Sequence, residues 1–277
     1  MTFAPDLSLH LITRQLCDAY VRDPATGLLL SGDDGSGLET LAMAIATSLN
    51  NHPDGVMTII ADGDRDITIE QIRQLYHDTR TIRDHHLTVI IAGAERMSLP
   101  AQNAFLKLLE EPPARVVFVM TSHSPNMLLP TIRSRIAHIE VRPISRDESV
   151  ALLARQGITD EIKIGQLLFV AGGKPAKLVR LIQDDGYFAD CAEMIRLART
   201  FVTESSYTRL TMLADIALDR SKALAFLRTM GEVVMFGHKK SPTRRMTRQL
   251  DHIVTAIDKL EANANVRLQL LRLALTL

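Results

Sequence analysis

Gly32 and Gly37 form the frame of a phosphate-binding loop, but the side chains that would do its chemistry are missing. The two glycines match the pattern G-x-x-x-x-G-K-[S/T] between an apolar run and a helical pattern. A working loop then needs a lysine on the β- and γ-phosphates and a hydroxyl on magnesium, and this chain has Leu38 and Glu39 there. A carboxylate beside phosphate opposes the attraction of a helix N-terminus for anions. The pattern predicts a nucleotide-binding frame that no longer binds productively.

The acidic residues that accompany such a loop are missing as well. The apolar run Leu87–Ala92 is where a strand would carry an aspartate for magnesium and a glutamate that activates water. Here the run continues through Ala92 into Gly93. Taken alone, the glycines could belong to an ordinary Gly-rich turn, but two coordinated losses favour a degenerate nucleotide site. We therefore expect no cofactor, no ATP binding and no ATP hydrolysis by this chain.

One side chain suited to phosphoryl chemistry remains, Arg135, which Ser134 precedes. Both residues follow the apolar run Val116–Thr121. An arginine at the edge of a domain can stabilise the charge that develops on a phosphate in a neighbouring protein's site. The other explanation is a surface arginine paired with an acid, which is preferred for an isolated Ser-Arg pair. Because the degenerate loop lies in the same part of the chain, we also consider a role for Arg135 in another protein's nucleotide site.

The composition narrows the class of protein. The chain has 277 residues, enough for two domains and a small third, with 32 basic and 32 acidic side chains. A freestanding nucleic-acid binder usually has a basic excess, so this balance argues against one. Cys17 and Cys191 cannot form a four-cysteine zinc site or a disulfide framework. Because no apolar stretch approaches the ~20 residues of a membrane span, we expect a soluble cytoplasmic protein.

Strand and helix patterns alternate through the first half of the chain. Short β-branched runs predict buried parallel strands, and helical patterns separate them. The predicted strands are Gly27–Ser31, Val56–Ile60, Leu87–Ala92, Val116–Thr121 and Ala137–Val141, and the predicted helices are Leu7–Val21, one from the loop to Asn50, Thr68–Ile82 and Pro100–Glu111. This order predicts an α/β fold with a doubly wound parallel sheet, whose ligands bind at the carboxyl ends of the strands.

The second half of the chain is helical throughout. Helical patterns begin at Ser145 with a capping sequence and again near Asp160, and Gly172-Gly173 precedes another at Lys174–Gln183. After Tyr187 the helical pattern is broken only near residues 204–206, 219–221 and 240–242. We therefore predict an α/β domain at residues 1–143, a small helical lid domain at 144–185 and an all-helical collar domain at 186–277.

Several segments resemble one family, the AAA+ subunits of bacterial replicative clamp loaders. The segment Pro100–Pro113 is similar to their A-x-N-A-L-L-K-x-L-E-E-P-P signature, and Ile132–Ile136 is similar to their S-R-C motif with Ile136 in place of the cysteine. Weaker similarities lie at His52-Pro53-Asp54, Ile69–Leu75 and Asn263–Leu268, the last resembling a collar helix. The resemblance covers most of the chain and implies an AAA+ domain, a helical lid and a collar.

The resemblance also implies a function. A non-functional nucleotide site combined with a retained arginine is typical of the family's non-catalytic member, a stator within the DNA polymerase III holoenzyme, a nucleotidyltransferase assembly. Its implied partners are the gamma/tau motor subunits, the delta subunit, the sliding clamp and primer-template DNA. Arg135, with Ser134, would act as an arginine finger for a neighbouring motor subunit. Ser98 and Gln102 would face DNA phosphates, and Pro175 would replace the sensor arginine of motor subunits.

The chain also departs from the family. Many relatives carry a four-cysteine zinc module, but Asn50-Asn51 leads directly to His52, so we expect no metal site. We interpret His52, His85 and His86 as solvated side chains. The basic run Lys239–Arg245 with Arg248 is better explained as a solvated loop than as a DNA patch, since no aromatics interrupt it. The alternative function is an autonomous AAA+ ATPase with a divergent nucleotide site, while a freestanding DNA-binding module conflicts with the neutral charge.

Overall fold

The computed structural model describes residues 4, 6–50, 55–60, 66–80, 86–213, 216 and 219–277. The chain divides into two compact units, Met1–Arg180 and Leu181–Leu277. The separation of residues 144–185 as a lid domain stays a prediction. Among the described residues, no helix is long and apolar enough to cross a membrane.

The first unit contains a five-stranded sheet in the order β2-β3-β4-β1-β5, with every neighbouring pair parallel. The strands are β1 Gly27–Ser31, β2 Val56–Ile59, β3 Leu87–Ile91, β4 Val116–Ser122 and β5 Ala137–Glu140. All five predicted strands are present, with ends that differ by at most one residue. The doubly wound α/β prediction is therefore confirmed.

Side chains of the central strands alternate between two apolar cores, one on each face of the sheet. Leu28 and Leu30 point to the core that the helices α1 (Leu11–Arg22) and α2 (Leu38–Leu49) cover. Leu29 points to the core that α3 (Ile69–Thr79) and α4 (Leu99–Glu110) cover. Strands buried on both faces need apolar side chains at successive positions, which is why these runs are continuous in the sequence.

Thirteen helices are found among the described residues. They are α1 Leu11–Arg22, α2 Leu38–Leu49, α3 Ile69–Thr79, α4 Leu99–Glu110, α5 Pro130–Arg133, α6 Arg146–Arg155, α7 Glu161–Ala171, α8 Pro175–Gln183, α9 Asp185–Thr203, α10 Ser206–Met212, α11 Arg220–Lys240, α12 Arg244–Glu261 and α13 Val266–Thr276. The three predicted breaks after Tyr187 fall between α9 and α12, and a fourth interruption separates α12 from α13.

Local capping interactions set several helix boundaries. Thr68 and Ser145 each form a capping box with the residue three positions later, which confirms the capping sequence predicted at Ser145. The predicted start of α1 at Leu7 is wrong, because the His10 side chain accepts a hydrogen bond from Ile12 N–H and the helix begins after it. Helix α3 ends at Thr79, before the predicted end at residue 82, which lies outside the described residues.

The second unit is built around one apolar core to which α9, α11, α12 and α13 contribute. The rings of Phe201 and Phe226 meet edge to face with their centroids 5.3 Å apart. The long amphipathic helices bury one face here and leave the other exposed, which is the pattern expected for a helical bundle.

A buried arginine ties two helix ends together in this unit. Arg209 is 4% exposed, and its guanidinium donates to the carbonyls of Phe201 at 2.7 Å, Val202 at 3.2 Å and Ala274 at 3.3 Å. These carbonyls belong to the last turns of α9 and α13, where helix carbonyls lack partners within the helix. Burial lowers the pKa of Arg209, and the positive charge of Arg245 lowers it further.

Replacing this arginine is expected to destabilise the second unit. In Arg209→Met the side chain keeps its length, but three buried carbonyls lose their donor, so the free energy of unfolding should fall by about 2–3 kcal/mol. Urea unfolding monitored by hydrogen exchange of α9 and α13 amides measures this. In the control Arg228→Met, which removes an exposed pair with Glu261, the loss should stay below about 1 kcal/mol. Equal losses in the two variants would contradict the assignment.

Candidate functional site: a degenerate loop and an exposed arginine

The predicted loop lies between β1 and α2 and has the backbone shape that its glycines suggest. Gly35 and Gly37 have φ angles of 82° and 84°, a left-handed conformation that favours glycine. Leu38, at the position of the missing lysine, is 3% exposed and belongs to the apolar core that α1 and α2 cover. Glu39 is exposed in the first turn of α2. The side chain that would meet phosphate is therefore part of the core instead.

Residues at the start of α8 bind the loop directly. Lys177 N–H donates to the Gly35 carbonyl at 3.0 Å, and Lys174 Nζ lies 3.4 Å from Asp33 Oδ2. A Cβ atom on Gly35 would lie only 2.7 Å from the Lys177 Cβ atom. Pro175, which the family resemblance places at the sensor position, is the first residue of α8. Sequence reasoning missed Lys174, because no local pattern brings a residue so distant in the chain to the loop.

His123, just past β4, holds the other end of the loop. Its Nδ1 donates to the Gly32 carbonyl at 2.8 Å, and its backbone N–H donates to Glu95 Oε1 at 3.1 Å. Gly93, where the catalytic glutamate is absent, donates its N–H to Thr121 Oγ1 at 3.1 Å. Glu95 is thus the acid that follows β3, and it is engaged in holding the backbone.

These residues do not fit a magnesium nucleotide. Lys174, whose ammonium group reaches the loop, is already paired with Asp33. The hydroxyl of Ser36 is buried and has no hydrogen-bond partner among the described residues, but it precedes Gly37 instead of following it in α2. Within the described ranges, no group of three His, Cys, Asp or Glu side chains could hold a metal ion. His52 and His85 lie outside those ranges.

Arg135 lies at the surface, just beyond the short helix α5. Its side chain is 41% exposed; one guanidinium nitrogen is 3.2 Å from Glu110 Oε1, and another donates to the Thr131 carbonyl at 3.1 Å. Ser134 is exposed as well, and its hydroxyl donates to the same carbonyl. Arg133 instead donates to Asn126 Oδ1. The sequence left open whether Arg135 pairs with an acid. The structure shows such a pair with Glu110, and it is solvent-exposed.

The backbone that carries Arg135 is anchored on both sides. Ile136, at the cysteine position of the family motif, is 8% exposed and packs so closely that a Cβ atom on Gly27 would lie 2.5 Å from its Cγ2. Before α5, Leu129 N–H donates to Gln102 Oε1 at 2.8 Å. The arginine side chain therefore projects from a fixed backbone.

Gln102 lies in the interior, which corrects the prediction that it faces DNA. It is 5% exposed, and its Nε2 donates to the carbonyls of Met97 at 3.1 Å and Met127 at 3.3 Å. Its carbonyl and amide groups are thus bonded to main-chain atoms, because the phase of α4 turns this position inward. Ser98 caps α4 by accepting Ala101 N–H at 3.4 Å, and its contact with DNA stays a prediction.

A side chain at Gly35 should separate α8 from the loop. Gly35→Ala forces alanine into a left-handed conformation and against Lys177, so we expect a loss of about 1–3 kcal/mol in unfolding free energy and faster exchange of the Lys177 amide hydrogen. The matched control is Gly165→Ala, in the middle of α7 with nothing near its Cβ position, which should stabilise by about 0.5–1 kcal/mol. An unchanged Lys177 exchange rate in Gly35→Ala would refute the contact.

Comparison with known proteins agrees with these motifs. Residues 48–145 match the family model described as DNA polymerase III, delta subunit. The chain is 29% identical over 227 residues to the gamma/tau subunit of Mycobacterium tuberculosis, covering 71% of this chain and 38% of that one. It is 33% identical over 135 residues to the delta' subunit of Pseudomonas aeruginosa (47% and 40% covered) and 26% identical over 194 residues to that of Escherichia coli (68% and 56%). The aligned part is thus less than two thirds of each relative.

Solved structures match the fold. A gamma subunit-related protein of DNA polymerase III from Thermotoga maritima has a TM-score of 0.53 at 19% identity, covering 95% of this chain and 97% of that one. A RuvB variant from the same organism has a TM-score of 0.53 at 12% identity, covering 78% and 82%. The predicted AAA+ α/β fold is confirmed. Together with the family model and the delta' relatives, the motifs make this chain a delta-prime-like relative of the DNA polymerase III clamp-loader subunits.

Proposed function

We propose that this chain is a non-catalytic stator subunit of the DNA polymerase III clamp loader and acts beside a gamma/tau motor subunit. The similarity to delta' and gamma/tau proteins supports a place in that assembly. The observation that carries the proposal is the contrast between two sites in one unit. The nucleotide loop is bonded to its own protein through Gly35 and Asp33, while the contacts of Arg135 with Glu110 and the Thr131 carbonyl lie at the surface, where a neighbouring protein could replace them.

Arg135 supplies an arginine finger to the neighbouring subunit's ATP. Its pair with Glu110 is exposed on both sides, and such pairs contribute only about 0–1 kcal/mol. The guanidinium can therefore exchange Glu110 for a phosphate at small cost. Its planar set of donors matches phosphate oxygens and stabilises the charge that develops on the transferred group. Ser134 and Gln102 act as positioning residues for the segment that carries it.

The helical second unit and the remaining partners complete the proposal. Tyr207, Leu268 and Leu275 expose 79%, 62% and 63% of their surface, which gives residues 186–277 apolar area to bury in a collar with other subunits. The motor and delta subunits would be direct neighbours. The sliding clamp and primer-template DNA would be engaged through the assembled complex, which acts in replication in the cytoplasm without a membrane partner.

An autonomous AAA+ ATPase is the alternative, and two observations favour it. The chain is 29% identical to gamma/tau proteins, and Lys174 brings an ammonium group to the loop. Against this, Lys174 is engaged by Asp33, Leu38 is buried in the core, and β3 leads into Ala92 and Gly93 without an acid. An ATPase assay on the isolated chain distinguishes the two functions.

The isolated protein should neither bind ATP tightly nor hydrolyse it. Leu38→Lys should not restore turnover, because the new ammonium group would enter an apolar core and Ala92 and Gly93 would still stand where an aspartate and a glutamate are needed. Binding is measured by titration with a fluorescent ATP analogue in magnesium, and turnover by phosphate release. Micromolar, magnesium-dependent binding that Leu38→Asp abolishes would contradict the prediction.

Loss of Arg135 should lower ATP hydrolysis by the reconstituted clamp loader. In a complex assembled with motor and delta subunits, Arg135→Ala should reduce DNA- and clamp-stimulated ATPase by about tenfold or more, because stabilisation of the transition state is lost. Assembly itself, measured by gel filtration, should remain nearly intact. Arg135→Lys should rescue poorly, since an ammonium group lacks the planar fork of donors.

Two variants serve as controls for this experiment. Arg133→Ala removes an equal charge two residues away and should matter much less. Glu110→Gln removes the partner of Arg135 but keeps the arginine, so ATPase should stay near the unmodified level. Normal stimulated ATPase in an assembled Arg135→Ala complex would falsify the trans-acting role, and an equal loss in Glu110→Gln would assign the effect to the surface pair instead.

A further inference from the structure

A basic cavity lies at the start of α12 in the second unit. Arg244, Arg245, Arg248 and Gln249 form one wall of a cavity of about 380 Å³, and Thr276 and Leu277 at the end of α13 form the other. In the sequence these arginines belong to a basic run that we interpret as a solvated loop. The fold gathers them on one concave surface.

The cavity wall contains a buried donor without an acceptor. Gln249 is 4% exposed, and its Nε2 is buried with no hydrogen-bond partner among the described residues. An unpaired buried amide donor is costly, because it has given up water and gained nothing in exchange. A ligand oxygen in the cavity would satisfy this donor.

Positive charge dominates the same surface. The side chains of Arg244, Arg245 and Arg248 are exposed and make no hydrogen bond or ion pair with any residue that the structure describes. No carboxylate side chain belongs to the cavity wall, and Asp251, the next acid along α12, lines a separate cavity. The opposite wall, at Thr276 and Leu277, is the carbonyl end of α13 and carries partial negative charge, which the three arginines outweigh. The first turn of this 18-residue helix adds the partial positive charge of its N-terminus. The charge of Arg245 also reaches the buried Arg209, whose pKa it helps to lower.

We propose that this cavity binds a phosphate-bearing anion of more than one charge. The guanidinium groups of Arg244, Arg245 and Arg248 match phosphate oxygens in two-point contacts, and the Gln249 amide donates to a further oxygen. No aromatic side chain is among the described residues that line the cavity, so the site offers no stacking surface for bases and would recognise the phosphate groups alone. Inorganic polyphosphate and a nucleic-acid backbone share this chemistry. The cavity includes neither Arg135 nor a residue of the nucleotide loop, so phosphate binding here is independent of the proposed function.

Calorimetric titration of the full chain with inorganic tripolyphosphate tests the site. We expect binding with a Kd below about 1 mM that weakens as salt increases. Each of Arg244→Ala, Arg245→Ala and Arg248→Ala should weaken it by about threefold to tenfold. The matched control Arg267→Ala removes the same charge from an exposed position on α13 outside the cavity and should change the affinity by less than about twofold.

Gln249→Leu separates binding from folding. Leucine removes the unpaired donor at similar size, so the melting temperature should stay the same or rise while tripolyphosphate affinity falls by about threefold or more. No binding by the unmodified chain, equal weakening in Arg267→Ala, or unchanged affinity in Gln249→Leu would each overturn the proposal.

A parallel titration with a labelled DNA duplex distinguishes the two sources of phosphate. DNA binding that the same arginine and glutamine variants weaken would assign the site to a nucleic-acid backbone. Tripolyphosphate binding without DNA binding would assign it to a free polyphosphate. Both results support a phosphate site when tripolyphosphate binds, whereas DNA binding without tripolyphosphate binding, or binding of neither anion, would refute it.

Discussion

The hydrogen bond from Lys177 N–H to the Gly35 carbonyl is the interaction that fixes the phosphate-binding loop of the first unit against helix α8. A phosphate-binding loop ordinarily completes its polar interactions with a ligand, so its conformation reports whether the ligand is present. Here the Lys174–Asp33 pair and the bond from His123 to Gly32 complete them with protein groups. A loop held in this way is fixed by contacts with its own protein, and this supports the proposal that it gains little from binding a nucleotide.

Much of the fold could be predicted because its causes are local. The continuous apolar runs at Leu28–Leu30 and Leu87–Ile91 suit strands covered on both faces, and Thr68 and Ser145 carry complete capping boxes within four residues. The degenerate loop could be recognised for the same reason, since both its glycines and its missing lysine lie within one short segment. Exposure of Arg135 followed from its place between an apolar strand and the next core residue.

The rest depends on contacts between distant parts of the chain. No sequence pattern near Asp33 indicates that Lys174 is its partner, and none near Arg135 indicates Glu110. Gln102 was assigned to the wrong environment because a polar side chain near a helix start is usually exposed, whereas the phase of α4 points this one at the backbone before α5. The cavity beside Gln249 likewise requires α13 to come against α12, which no periodicity specifies.

The packing of Ile136 against Gly27 has a consequence for the timescale on which Arg135 can act. Because Ile136 fills the space that a side chain on Gly27 would need, the backbone next to the arginine cannot shift without disturbing the first strand of the sheet. Movement of the guanidinium is then a matter of side-chain rotation, which exposed residues complete in picoseconds to nanoseconds. Loop closures take microseconds or longer. In the proposed role, the guanidinium of Arg135 would therefore reorient faster than loops of a neighbouring active site close. Its movement would not limit the rate of the reaction there.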